Sequence, residues 1–273
     1  MRTKWRIAVA VAFTLLAGAA FAAPKTEYRL SLNGALEVGP DGSVRSYAID
    51  GDTDAAAKKM VEAAVAKWRF QPIVRDGKPV IARTTMRLSL RAVPTEHDMY
   101  QLRLTSASFG EAVKLNNRRA PKYPDAAARA HLGARVLLVM DVGADGVLRN
   151  VGAYQTSLDS EAPNEHVAER WRRLFERASI LAARHWTFER TDGNSAPLEP
   201  HQYMVPVEFR IVREREDENK PRWMATVPGP TRAEPWMHLA SLRADAVDGL
   251  PDGAAVALDS DFTLLSDVIG KTL

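Results

Sequence analysis

Residues 38–45 read VGPDGSVR and residues 142–149 read VGADGVLR, so that five of the eight positions are identical. An Asp-Gly pair between alternating apolar residues is typical of a tight β-hairpin, because such turns need a residue that tolerates positive φ. Apolar residues occupy every second position ahead of both turns. Each copy therefore predicts two antiparallel strands, and the repetition indicates an internal duplication.

A helix, an aromatic cluster and a last strand are predicted after each hairpin. The aromatic clusters read WRF at 68–70 and WTF at 186–188, and a further Asp-Gly turn follows each of them. Helical spacing of apolar residues predicts the helices, and Asp52 or Thr53 is expected to cap the first one. The apolar stripes are Ala57, Met60, Val61, Ala64, Val65 and Trp68 in the first copy, and Val167, Trp171, Leu174, Phe175, Ala178 and Leu181 in the second.

This order of elements predicts an α+β fold of two tandem ββαβ units, each a small antiparallel three-stranded sheet with a helix packed on one face. We expect the first unit at residues 23–92 and the second at 118–213, with a linker at 93–117 between them. Residues 214–273 are predicted to be a charged linker followed by a tail that contains several prolines.

Four tryptophans define expected contacts of the core and the tail. Trp68 and Trp186 each end an apolar helical stripe, which favours core packing. In the tail, Trp223-Met224 and Trp236-Met237 are expected to dock on the protein itself or on a partner.

The N-terminus has the pattern of a secretory signal peptide at residues 1–22. Three basic residues precede an apolar run at 7–20, and Ala20-Phe21-Ala22 supplies the small residues around a cleavage site. The alternative is an uncleaved anchor at residues 7–23, since a membrane span takes roughly 20 apolar residues. Cleavage after Ala22 would place the mature protein outside the cytoplasm.

Composition excludes several classes of function. The formal net charge is +3 and falls to near zero without the basic residues of the signal peptide, so no nucleic-acid partner is expected. The absence of cysteine excludes disulfides and thiol catalysis. The six histidines lack metal-ligand spacing, and no nucleophile elbow, P-loop or dinucleotide fingerprint occurs. The sequence therefore predicts no catalytic, cofactor-binding or metal-binding residues, and we do not expect an enzyme.

The order of motifs in the second copy resembles the C-terminal domain of the TonB family of energy transducers. Residues 121–124 read PKYP, a short helical stretch and the strand 135–142 follow, and the Asp-Gly turn and the WTF cluster complete the order. The resemblance implies a three-stranded sheet in the periplasm of a Gram-negative cell envelope, which pairs with a short peptide of an outer-membrane receptor. It also implies a link to TonB-dependent transmembrane transport.

Three functions are compatible with these observations. The leading hypothesis is a non-catalytic periplasmic module that binds a peptide strand or an envelope protein, because small antiparallel sheets expose unpaired edges. The second is an inner-membrane-anchored energy transducer that drives receptor-mediated uptake. The third is a homo-oligomeric envelope scaffold, in which edges of different chains pair with one another.

The last strand of the first copy, residues 81–90, is the expected peptide-binding edge because it contains no proline. Its candidate binding residues are Arg83, Thr85, Arg87 and Ser89. In the second copy Pro206 interrupts the corresponding strand, which predicts an edge strand that is partly blocked.

A second candidate for peptide contact is Tyr123, which lies between Pro121 and Pro124. Aromatic residues flanked by prolines are held rigidly, so Tyr123 and both prolines could form part of a binding surface. The alternative is that Tyr123 fastens the start of the second unit to its own sheet.

Overall fold

A computed structural model of the chain describes residues 26–51, 54–95, 99–110, 114–116, 118–189, 201–211, 222–237, 252, 255–257 and 262–273. The predicted signal peptide, the predicted cap residues Asp52 and Thr53, and the charged run at 213–218 lie outside these residues. Among the helices of the described part, none has the length and apolarity that a membrane crossing requires.

Antiparallel strands are the commonest regular structure of the described residues, and three helices lie between them. The strands are β1 (Glu27–Val38), β2 (Val44–Ile49), β3 (Val74–Arg75), β4 (Lys78–Pro79), β5 (Ala82–Pro94), β6 (Tyr100–Phe109), β7 (Lys114–Asn116), β8 (Ala134–Val142), β9 (Leu148–Leu158), β10 (Thr187–Glu189), β11 (His201–Phe209), β12 (Met224–Thr226) and β13 (Val256–Ala257). The helices are α1 (Ala55–Val65), α2 (Asp125–Arg129) and α3 (Glu165–Ala183). The fold class is α+β, as the sequence predicts.

The first sheet has the strand order β12-β1-β5-β6, and β2 pairs with β1 beside β12. Helix α1 covers one face, where Ala57, Val61 and Val65 pack with Trp68 in the core. Its cap is Asp54, whose carboxylate accepts a hydrogen bond from the amide of Ala57 at 2.8 Å. The cap thus lies one or two residues after the predicted positions.

The second sheet has the order β13-β11-β8-β9, and α3 packs on one of its faces. Trp186 is 1% exposed and Trp68 is also 1% exposed, so the prediction of core packing is confirmed for both. The buried residues of α3 lie mostly one position after the residues of the predicted apolar stripe. Leu181 is 54% exposed, whereas the most buried positions are Ala168, Arg172, Phe175, Ser179 and Ala183.

The two Asp-Gly turns have matching hydrogen bonds. In the first, the amide of Gly39 donates to Ser43 at 2.8 Å and Phe70 donates to the carbonyl of Gly42 at 2.8 Å. In the second, Gly143 donates to Val147 at 3.0 Å and Phe188 donates to Gly146 at 3.2 Å. Each turn therefore also fixes the aromatic cluster that follows its helix.

The sheets pack through the faces opposite their helices. Ser89 of β5 is fully buried. Leu137 and Val139 of β8 are also buried, but they do not belong to the core cluster between the second sheet and α3. Arg29 of β1 forms an ion pair with Glu208 of β11 at 2.8 Å, which joins one sheet to the other. The helices consequently lie on the outer faces.

Strand β6 occupies part of the predicted linker. It pairs with β5 from Met86↔Phe109 to Pro94↔Tyr100 and so extends the first sheet by one strand. The alternation of Tyr100, Leu102 and Leu104 in the sequence is thus a strand of the sheet.

Candidate functional site

The strand proposed for peptide pairing, residues 81–90, is not an open edge along its whole length. β5 pairs with β1 on one side, and from Met86 onward it pairs with β6 on the other. The prediction of an intact edge is therefore wrong for Met86 to Leu90, because the sequence between the two copies supplies a further strand. Ser89 is completely buried and Arg87 is 8% exposed.

Three of the four candidate residues on this strand make side-chain hydrogen bonds within the protein. The guanidinium of Arg83 donates to Glu37 at 2.7 Å, and the hydroxyl of Thr85 donates to the carbonyl of Gly110. Arg87 donates to the same carbonyl at 2.8 Å. Arg83 is exposed, and a peptide contact by this group of residues stays a prediction.

Tyr123 is fastened to its own sheet. Its hydroxyl donates to the carbonyl of Leu132 at 2.8 Å, and its ring lies edge-on to Phe209 and Phe175 at 5.5 and 6.0 Å. Burial, together with the charge of Asp159, raises the pKa of Tyr123 to about 12. These contacts give Tyr123 the fastening role, while binding by Tyr123, Pro121 and Pro124 stays a prediction.

Replacing Tyr123 by phenylalanine is expected to lower the free energy of unfolding by about 1 kcal/mol, because the carbonyl of Leu132 loses its donor. The folded pKa lies above the unfolded value of about 10, so this advantage is complete below pH 10. It is lost as the pH rises toward about 12. Urea unfolding of both proteins at neutral and alkaline pH measures the difference, and equal stabilities at neutral pH would contradict the fastening role.

Segments from the C-terminal region cover edges of both sheets. In the first sheet β12 pairs with the start of β1, and the amides of Gly270 and Leu273 donate to Leu104 and Leu102 of β6. In the second sheet β13 pairs with Tyr203 and Met204 of β11, so β11 is not an edge at these two residues. The tail thus docks on the protein itself, which is one of the two expected alternatives.

The edge of β9 is covered by residues 226–232, which we call the resident strand. Val227 and Leu158 exchange two backbone hydrogen bonds, of 2.7 and 3.1 Å, in an antiparallel pair. Farther along, the amide of Arg232 donates to Tyr154 at 2.7 Å. The resident strand therefore continues from β12 of the first sheet onto the edge of the second.

A close backbone contact fixes the middle of the resident strand. A Cβ atom on Gly229 would lie 2.2 Å from the carbonyl oxygen of Thr156 and 2.7 Å from Nε of Arg172. The side-chain amide of Gln155 donates to the carbonyl of Gly229 at 2.8 Å. Only glycine fits this position without displacement of β9 or α3.

Two glutamates of α3 hold the end of the resident strand. Arg232 donates to both carboxylate oxygens of Glu169 at 2.6 Å and to Glu176 at 2.9 Å. Burial opposes ionisation of Glu169, but hydrogen bonds from Arg173 and Arg232 hold its pKa below the ordinary value. The pKa of Arg232 is raised, since the hydrogen bonds and charges of the two glutamates outweigh its burial. The groove between β9 and α3 thus holds the cationic side chain of Arg232.

Residues 236–237, which follow the resident strand, contact β9 at Gly152. Methyl Cε of Met237 and the ring of Trp236 lie within 2.8 and 3.3 Å of the position that a Cβ on Gly152 would take. Gln202 of β11 donates to the carbonyl of Trp236 at 2.7 Å. Trp236-Met237 therefore contacts the second sheet.

A buried charge cluster lies where the two sheets meet. Glu208 is 5% exposed and accepts hydrogen bonds from Arg29 at 2.8 Å, from Arg210 at 2.7 Å and from Arg135. Burial raises the pKa of this carboxyl, but the charges of Arg135, Arg29 and Arg210 outweigh it and hold the pKa far below its ordinary value. A cavity of about 180 Å³ adjoins the cluster. Among the described residues, no group of three His, Asp or Glu side chains is placed to hold a metal ion.

Part of the sequence matches known proteins. The chain is similar to Protein TonB. The relatives come from two strains of Xanthomonas campestris pv. campestris and are 30% identical over 107 residues, which is 38% of this chain and 42% of each relative. The chain thus spans about two fifths of the length of these relatives. No family model and no solved structure matches the chain.

The groove of β9 and α3 does not follow from the motifs and periodicity of the sequence. Arg172 is 1% exposed, but a single arginine within an apolar stripe gives no signal of its own. Two features could have indicated the resident strand: the Pro-Gly-Pro sequence at 228–230 and its position between the two Trp-Met pairs. Both mark a segment that is extended and fixed at its ends.

Proposed function

We propose that the chain is a non-catalytic, exported TonB-like protein that binds a peptide strand or an envelope protein in the periplasm by pairing with a sheet edge. In this proposal residues 1–22 are a cleaved signal peptide, and residues 23–92 and 118–213 are two tandem ββαβ units of the TonB C-terminal type. The binding serves TonB-dependent transport across the outer membrane.

The observation that carries the proposal is the covering of sheet edges by added extended segments. Residues 224–232 pair first with β1 and then with β9, so edges of both sheets accept a strand through backbone hydrogen bonds. Addition of a strand is an established mode of peptide recognition. The matching hydrogen bonds at the two Asp-Gly turns support the tandem units, and the similarity to Protein TonB supports the link to transport.

The second candidate function is an energy transducer that remains anchored in the inner membrane. It is favoured by the similarity to Protein TonB and by the apolar run within residues 7–23. The N-terminal mass of the native protein and its partition after an alkaline wash distinguish the two. A soluble chain that begins at Ala23 supports the binding module, and an intact chain retained in the membrane supports the transducer.

Self-association through sheet edges would make the protein a scaffold. In this case the added strand comes from a second copy of the chain, which pairs with the sheet edge of the first. Light scattering at increasing concentration tests it, and a monomer mass at every concentration contradicts it.

We expect peptides from the N-termini of outer-membrane receptors to shift backbone amide resonances of the mature protein. Strand addition changes the hydrogen bonding of an edge, so the shifts should follow one edge. Candidate positions are Arg83 and Thr85, on the part of β5 that β6 does not cover, and Tyr123 with its flanking Pro121 and Pro124 monitored through neighbouring amides. The absence of shifts at millimolar peptide would contradict the proposed function.

A further inference from the structure

We infer that the edge of β9, with the groove between β9 and α3, is a peptide-binding site whose occupant in this structure is the chain's own resident strand. The inference rests on the proposed function, because it assumes that partners bind by strand addition. It deepens that proposal by naming the edge and the chemistry of the peptide. The partner is an extended strand, antiparallel to β9, with glycine opposite Thr156 and a cationic side chain three residues later.

The resident strand fills the edge incompletely. Pro228 and Pro230 have no amide hydrogen, so they cannot donate to β9. Between residues 226 and 232 the described structure has three backbone hydrogen bonds to β9, two at Val227 and one at Arg232. A strand without these prolines lacks this restriction.

The groove also contains a donor that the resident strand does not satisfy. The side chain of Arg172 is 1% exposed, and its Nη1 donates to Glu165. Its Nε, however, is buried without a hydrogen-bond partner. A buried donor without an acceptor destabilises the occupied groove. This nitrogen lies beside Gly229, within reach of the backbone of any strand bound there. A partner that places a carbonyl oxygen near it would bind more tightly than the resident strand.

Few side chains hold the resident strand by burial. Thr226, Val227 and Gly229 are buried, whereas Pro230 and Thr231 are exposed. Val227 belongs to the core of the second sheet, and the rest of the binding comes from backbone pairing and from the ion pairs of Arg232, which another peptide can reproduce. These features favour exchange of the resident strand over a permanent role in the sheet.

The recognition chemistry follows from the two fixed positions. The space opposite Thr156 admits no Cβ, so valine in place of Gly229 is excluded. Glu169 and Glu176 form an acidic fork at the position of the Arg232 side chain. A bidentate guanidinium suits this fork better than an ammonium group, which selects arginine over lysine.

Peptide binding to variants of the full mature chain tests the inference. The probe is a fluorescent synthetic peptide with the sequence of residues 222–237, and its affinity is measured by anisotropy. Arg232→Glu repels the resident strand from Glu169 and Glu176 but leaves the groove unchanged. We expect this variant to bind the probe at least tenfold more tightly than the wild-type chain does.

Two controls make the result specific. Lys271→Glu makes the same charge change elsewhere in the tail, at an exposed ion pair with Asp267, and is expected to bind the probe like the wild-type chain. A probe with valine in place of Gly229 is expected not to bind. Equal affinities of the three proteins for the probe, or equal binding of the valine probe, would overturn the inference.

A second variant covers the case in which Arg232→Glu does not fold. Gln155 and Thr231 are antiparallel partners, and the native chain has no cysteine, so Gln155→Cys with Thr231→Cys forms a single reversible lock. Here the probe carries threonine in place of both prolines. We expect at least tenfold tighter binding by the reduced protein than by the oxidised one, and equal affinities would make the resident strand a permanent part of the sheet.

The outcomes separate this inference from the proposed function. If receptor peptides bind but the lock has no effect on them, the proposed function stands and the groove of β9 and α3 is not the site. If the probe exchanges with the resident strand but no envelope peptide binds, the groove exists and the proposed function is wrong.

Discussion

Replacement of Glu208 by glutamine is expected to lower the free energy of unfolding by about 3–5 kcal/mol, one of the largest effects of a single substitution in this chain. Glu208 neutralises part of the charge of Arg29 and Arg135, which are 6% and 7% exposed. Removal of one partner from a buried ion pair leaves the remaining charges uncompensated and without water. Because Arg29 belongs to the first sheet and Glu208 to the second, the loss falls on the contact between the sheets.

A glutamate with exposed partners provides the matched control. Glu37 on β1 forms its ion pair with Arg83, whose side chain is 85% exposed. Water screens this pair, so Glu37→Gln should cost less than about 1 kcal/mol. Urea unfolding of both variants at neutral pH measures the difference, and equal losses would contradict the structural importance of the buried cluster.

Acid should remove the advantage that Glu208 gives the wild-type protein. The pKa of its carboxyl is held far below the ordinary value, against the effect of burial, by Arg135, Arg29 and Arg210. A group with a depressed folded pKa contributes stability above its unfolded pKa, which is about 4.3 for glutamate. The stability difference between wild type and Glu208→Gln should therefore be constant above about pH 5 and shrink as the pH falls below it.

The local elements of the fold follow from short-range patterns in the sequence. The Asp-Gly turns, the alternation of β1 and β8, and the helical spacing before Trp68 and Trp186 each involve neighbouring residues. These patterns predicted the hairpins, both longer helices and the two buried tryptophans. The exact face of α3 was not predicted, because buried Arg172 and Ser179 interrupt the apolar stripe.

The coverage of the sheet edges depends on contacts that are distant in sequence. Arg29 and Glu208 are 179 residues apart, and Gln155 and Gly229 are 74 residues apart. Periodicity carries no information on such pairs. β6 shows the consequence for function. The motifs of the first copy predict that β5 is an open edge, but β6, the next strand in the chain, pairs with most of it. Exposed strand edges promote unwanted pairing, so there is a physical reason to cover the edges of the five-stranded and the four-stranded sheet.

Replacement of Gly42 by alanine is expected to cost about 3 kcal/mol or more. Gly42 has φ +76°, a conformation that costs an L-residue about 1–2 kcal/mol. In addition, a Cβ there would lie 2.0 Å from the carbonyl oxygen of Phe70, a backbone atom that cannot rotate away. Overpacking of this kind adds about 1–3 kcal/mol.

Gly77 is a natural control because it follows Asp76 in another turn with nearly the same backbone, at φ +74°. A Cβ on Gly77 meets no atom within 4 Å, so Gly77→Ala should cost only the conformational part, about 1 kcal/mol. Thermal or urea unfolding of the two variants separates strain from crowding.

If both variants lose the same stability, the contact between the turn and Phe70 contributes nothing. If Gly42→Ala loses more, the first turn stabilises the unit by holding the aromatic cluster, since Phe70 donates to the carbonyl of Gly42. Gly146 and Phe188 form the same bond in the second copy, so Gly146→Ala should then resemble Gly42→Ala rather than Gly77→Ala.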